Sequence, residues 1–166
     1  MRVIGIDPGI ERTGFAVLEQ DKNGTPQLLD YGCIYTSKEH EFPARLAALA
    51  ADIKSILLQW KPTAAGIEQL FFTTNVRTAM RVSQARGVVV ELLEEYGVTI
   101  MEINPSHIKM AVTGSGRADK VQVKKMLQYL LGVSPKNDDT ADAIACGICL
   151  LSSLKLHGQA ESAPAD

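Results

Sequence analysis

Residues 2–6 read RVIGI, apolar at every position after the first, and the run stops on Asp7-Pro8-Gly9. A strand with no polar face cannot turn one side to water, so it belongs inside a sheet covered on both faces. That demand points to a layered α/β architecture, and the rest of the chain supplies the layers. Residues 13–19 and 28–36 read as two more strands around the turn-rich DKNGTPQ, and connections this short make the first three strands an antiparallel meander. Leu46, Leu49, Ile53, Ile56, Leu57 and Trp60 recur at helical spacing, and Pro62 closes that helix. TAAGIE then returns as a strand ending on Glu68. A helix over about 78–96, a fifth strand VTIMEI and a short helix opened by Asn104-Pro105 follow. After the break TGSGRAD come a helix over 121–131 and a last helix from Asp138 or Asp139 to about Leu156. The expectation is one α/β domain over residues 1–156, a mixed five-stranded sheet flanked by helices. Residues 157–166 have little to bury and are expected to form a disordered tail.

Composition excludes several classes. With 46% hydrophobic and 22% charged residues the chain suits a globular domain. No run approaches the roughly 20 apolar residues of a membrane span, and the N-terminus opens straight into a strand, so a cytoplasmic protein is expected. Cys146 and Cys149 form a C-x-x-C, but inside the helical run AIACGICLL, with no second pair and no nearby histidine. Two small apolar side chains one turn apart in a core account for it better than zinc does. The net charge of −2 rules out a generally basic nucleic-acid binder. Charge is nonetheless uneven: Lys109, Arg117, Lys120, Lys124 and Lys125 face only Asp119 between residues 109 and 125.

The acids carry the chemistry. Asp7 ends the first strand and Glu68 the fourth, and both strands read as central, so their ends can meet. Asp139 and Asp142 share one face of the last helix, which turns apolar on every side straight after Asp142. A carboxylate facing a core costs several kcal/mol unless it is paired or binds a cation. No lysine or arginine lies within four residues of Asp7, Glu68 or Asp142 to serve as an obvious partner. Each acid alone has an ordinary reading as turn-former, cap or solvated strand end. Jointly they point to hard Mg²⁺ or Mn²⁺ and to two-ion phosphodiester hydrolysis.

The stretches GIDPGIERTGFAV, GIEQLFFTTNVRTAMRVSQARGVV, NPSHIKMAVTGSGRADKVQV and DDTADAIACGI resemble, in order, the four blocks of the RuvC family of bacterial Holliday-junction resolvases. The resemblance covers nearly the whole chain except the tail. It implies an RNase H-like fold, a homodimer and a Mg²⁺-dependent crossover junction endodeoxyribonuclease of DNA recombination and repair. Such an enzyme cuts four-way DNA symmetrically, with two metal ions per site and Mn²⁺ as a substitute. It also implies the RuvAB branch-migration complex as a partner. Carried over by position, the catalytic and metal-binding carboxylates are Asp7, Glu68, Asp139 and Asp142, with Asp138 beside them as a helix cap. Lys109 and Lys120 match DNA-facing lysines of the family, Arg117 is a third candidate, and Phe71 matches an aromatic that stacks on bases at the crossover. The helix near 78–96 matches the family's dimer helix. The alternatives are another RNase H-like nuclease, such as the YqgF-type RNA-processing proteins, or a nucleotide-binding domain of the actin or sugar-kinase type.

Overall fold

The computed structural model describes residues 1–69 and 76–161. Along the chain come β1 (Arg2–Asp7), β2 (Arg12–Gln20), β3 (Pro26–Tyr35), α1 (Phe42–Trp60), β4 (Ala64–Glu68), α2 (Val76–Glu95), β5 (Thr99–Ile103), α3 (Pro105–Thr113), α4 (Lys120–Leu131) and α5 (Asp138–Glu161). The strands form one sheet in the order β3-β2-β1-β4-β5. β1 is central, as its uninterrupted apolar sequence requires. It runs antiparallel to β2 and parallel to β4, while β2–β3 is antiparallel and β4–β5 parallel.

Side chains alternate across β1 and split the core in two. Val3 joins a cluster with α3, α4 and α5, whereas Ile4 and Ile6 join a second cluster with α1 and α2. The sheet is therefore the middle of three layers. α5 lies unusually close to it. A Cβ on Gly5 would stand 2.1 Å from the Ala143 carbonyl oxygen, and one on Gly147 would stand 2.3 Å from Leu18 Cδ1. Small residues at both crossing points let helix and strand backbones touch, and α5 is buried from Ala143 to Leu151. Cys146 and Cys149 are core residues within it, at 1% and 4% exposure.

Local signals explain most element ends. The Asn104 side chain accepts a hydrogen bond from Ser106 N at 2.9 Å, capping α3 as its Asn-Pro start suggests. α4 begins with a capping box whose Asp119 belongs to the stretch TGSGRAD, a break by its composition. Asp119 accepts from Gln122 N at 2.8 Å, and Gln122 Oε1 accepts from Asp119 N at 2.9 Å. α5 continues to Glu161, five residues past the end that apolar periodicity marks. No described helix is long and apolar enough to cross a membrane.

Candidate active site

Strand register brings the two strand-borne acids together. Ile6 pairs with Ile67, so Asp7 and Glu68 are the next residues along adjacent parallel strands. Alternation from Val3 and Gly5 turns Asp7 toward α5, and alternation from Ala64 and Gly66 does the same for Glu68. Across the antiparallel ladder Asp7 faces Gly14. A Cβ on Gly14 would sit only 1.9 Å from the Asp139 carbonyl oxygen, so a glycine there is what admits the first turn of α5. Asp139 and Asp142 thus hang over the ends of β1 and β4.

The turn after Asp7 is firmly tied. The Thr13 hydroxyl donates to the Gly9 carbonyl at 2.6 Å, and Gly9 N donates back to it at 3.2 Å. Arg45, only 6% exposed, donates to the Ile10 carbonyl at 3.2 Å and to Thr36 Oγ1 at 3.0 Å, while the Thr36 hydroxyl donates to the Ile10 carbonyl. No pattern in the sequence marks this buried guanidinium, satisfied by carbonyls and a hydroxyl.

The electrostatics are those of crowded acids. Burial, then the charges of Asp142, Glu68 and Asp139, push the Asp7 carboxyl from an ordinary 3.8 up to about 7, against the opposing pull of Lys120. Glu68 is also raised, by burial and then by Asp142, with Lys120 and Lys109 pulling the other way. Asp142 is raised by burial, which outweighs Lys120, with Asp138 and Asp139 adding repulsion. These couplings show all four acids sharing one field.

Two expectations need correction. The acids do have cationic neighbours: Lys120 Nζ lies 3.2 Å from Asp142 Oδ2, and Arg12 Nε lies 3.2 Å from Asp139 Oδ2. The lysine is hidden from sequence inspection because α4 carries it in from 22 residues away. Asp138, in turn, is not the helix cap. It stands inside the first turn of α5 and pairs with Lys124 at 2.6 Å and Lys120 at 3.3 Å, which lower its carboxyl below the usual range. Lys120 therefore reaches the acids directly. Lys109, half-buried on α3, is close enough for its charge to be felt at Glu68. Arg117 is exposed in the α3–α4 connection and has no ion-pair partner among the described residues. Phe71 lies outside the described residues.

Among the described residues no three His, Cys, Asp or Glu side chains stand close enough together to hold a metal ion as they are. The donor chemistry nonetheless fits a hard divalent cation. Every candidate ligand is a carboxylate oxygen, their mutual repulsion is what a cation would relieve, and the buried Asp139 Oδ2 has no hydrogen-bond partner. Arg12 faces that oxygen as a charge without meeting hydrogen-bond geometry.

Carboxylates at the ends of β1 and β4 and on the last helix, on a sheet of this order, define an RNase H-like nuclease. The family model for crossover junction endodeoxyribonuclease RuvC matches residues 3–150, and the chain belongs to that family. The RuvC of Petrotoga mobilis is 44% identical over 151 residues, 90% of this chain and 92% of that one. The RuvC of Caldicellulosiruptor saccharolyticus is 42% identical over 156 residues, covering 92% and 94%. Among solved structures, Thermus thermophilus RuvC in complex with Holliday junction substrate matches with a TM-score of 0.88 at 29% identity, over 95% of this chain and 96% of that chain. Nucleases of this family depend on a divalent metal.

Proposed function

We propose that the chain resolves four-way DNA junctions by paired, symmetric phosphodiester hydrolysis at the face formed by Asp7, Glu68, Asp139 and Asp142. The observation that carries this reading is the gathering of those four acids at the adjoining ends of β1 and β4 in a chain of the RuvC family. Asp7, Glu68, Asp139 and Asp142 would hold Mg²⁺, with Mn²⁺ able to substitute, and a cation there would relieve the repulsion that Asp7 feels from the other three. A divalent ion bound there supplies Lewis acidity, lowering the pKa of an attacking water and offsetting charge on the phosphate and leaving oxygen.

The remaining work belongs to side chains. The tied turn after Asp7 and the Gly14 contact hold the carboxylates at fixed places, so little reorganisation is needed when substrate arrives. Lys120, Lys109 and Arg117 contact backbone phosphates on the α3–α4 side and set the register of DNA over the acids. Phe71 stacks on a base opened at the crossover. Two copies joined through α2 place two such sites for matched cuts, and the RuvAB branch-migration complex is the partner that presents the junction. Met80, 62% exposed on α2, is the kind of apolar side chain such a contact would cover.

The direct test is cleavage with Mg²⁺ of a synthetic four-way junction, a matched duplex and a structured RNA. Paired nicks in the junction alone support the reading. Cleavage of the RNA in preference to the junction would overturn it.

A further inference from the structure

The acids are flanked by cations of unequal standing. Lys120 is held by two carboxylates, Asp138 at 3.3 Å and Asp142 at 3.2 Å. Arg12 is held by one, at 3.2 Å, and the oxygen it faces forms no hydrogen bond. Its side chain is 55% exposed, against 24% for that of Asp139. Arg12 opens β2 two residues before Gly14, so alternation puts it on the same face as the first turn of α5. Directly across the ladder stands Tyr35, whose hydroxyl accepts from Asn137 Nδ2 at 2.6 Å. That bond ties the end of β3 to the start of α5, next to the half-exposed side chain of Arg12.

We propose that Arg12 is a DNA-phosphate contact on the β2 side of the active site, parked against Asp139 until substrate arrives. The inference rests on the junction-cleaving reading above. A phosphodiester brought to the four acids must pass within a few ångströms of Asp139, and so within reach of the guanidinium. A planar guanidinium has five N–H donors in a fork that matches phosphate oxygens, and only one edge of it is turned to Asp139. Releasing it breaks a single charge contact between a half-exposed guanidinium and a buried carboxylate oxygen, one that no hydrogen bond reinforces. Charge on Asp139 is then free to engage a cation while Arg12 engages the strand. With Lys109, Arg117 and Lys120 on the α3–α4 side, the DNA would be held from two elements that are unconnected in sequence.

Equilibrium binding without divalent metal separates this role from catalysis. A four-way junction and a matched duplex are titrated across salt for the wild type, Asp139→Asn, the double variant Asp139→Asn with Arg12→Gln, and the double variant Asp139→Asn with Arg12→Lys. Each phosphate neutralised adds about 0.9 to the slope of log affinity against log salt. Asp139→Asn releases Arg12 and should steepen the slope by up to that amount. Adding Arg12→Gln should remove the gain on both DNAs, and Arg12→Lys should keep most of it. If Arg12 were only a counterion for Asp139, adding Arg12→Gln to Asp139→Asn would leave slope and affinity unmoved on both DNAs, and the proposal would be overturned. A wild type that prefers neither junction nor duplex would instead refute the junction reading, while the slope comparison on duplex would still decide the role of Arg12.

Discussion

Replacing Asp7 by asparagine should stabilise the metal-free protein while abolishing cleavage, and the size of the gain follows from the site. In the folded chain the carboxyl titrates near 7, against 3.8 when it is free of its neighbours. Below 3.8 it is protonated in both states and costs nothing. Between the two values the unfolded chain gives up its proton first, so stability falls as pH rises, and the loss is complete above about 7. At about 1.4 kcal/mol per pH unit the whole interval is worth about 4 kcal/mol, of which about 3 kcal/mol falls between about pH 5 and about pH 8. Asparagine keeps the shape and carries no charge. Urea unfolding in a chelator should therefore show Asp7→Asn gaining about 3 kcal/mol more over the wild type at about pH 8 than at about pH 5. Saturating Mg²⁺ should shrink that difference by binding the folded wild type. A gain equal at both pH values would refute the reasoning, because it would mean that repulsion and burial do not act on Asp7.

Gly14→Ala should lower both stability and cleavage, by about 1–3 kcal/mol for the overpacked contact with the Asp139 carbonyl; unchanged denaturant midpoints would show that α5 can shift freely. Lys120→Ala should flatten the salt dependence of junction binding by about 0.9 in slope, whereas Phe71→Ala should lose about 1–3 kcal/mol of stacking, read in the cleavage rate of bound junction with the slope intact. The same salt signature in both variants would remove the stacking role. Sedimentation should show a dimer that an arginine at Met80 on α2 weakens, together with symmetric cutting; paired cuts by a monomer would place the partner contact elsewhere.

What could be read along the chain depended on how local its cause was. The central place of β1 follows from four residues, Val3 to Ile6, with no polar face, and burial of α5 follows from a run with none either; both hold in the sheet order and the core. The meeting of Asp7 with Glu68 was legible because both end strands, and parallel neighbours share their ends. The cations were not. Lys120 reaches Asp142 only because α4, capped by Asp119, lies beside α5, and no periodicity reports that approach. Arg12 is close in sequence to Asp7, yet its reach toward Asp139 depends on a hairpin register that pairs Asp7 with Gly14. Asp138 next to Asp139 reads as a cap by rule, yet α5 already begins at Asp138, and the α4 lysines pair with its carboxylate.

The same geometry raises the question of what keeps mutually repelling acids in place without a cation. Glycines supply the means. At Gly5 and Gly14 the backbones of sheet and helix come closer than any side chain would permit, and from Ala143 to Leu151 α5 is buried in apolar contact. Fully burying one leucine is worth about 1.5–3 kcal/mol, so Leu150 and Leu151 together match the roughly 4 kcal/mol that ionised Asp7 costs. Docking of the distal part of the helix thus holds the charged first turn against its own repulsion. It follows that stability and activity are coupled with opposite signs at two neighbouring positions. Asp7→Asn relieves repulsion and should raise stability as cleavage disappears, whereas Gly14→Ala disturbs the docking that opposes repulsion and should lower both. A molecule whose acids were held by the carboxylates' own contacts would instead lose stability in both variants.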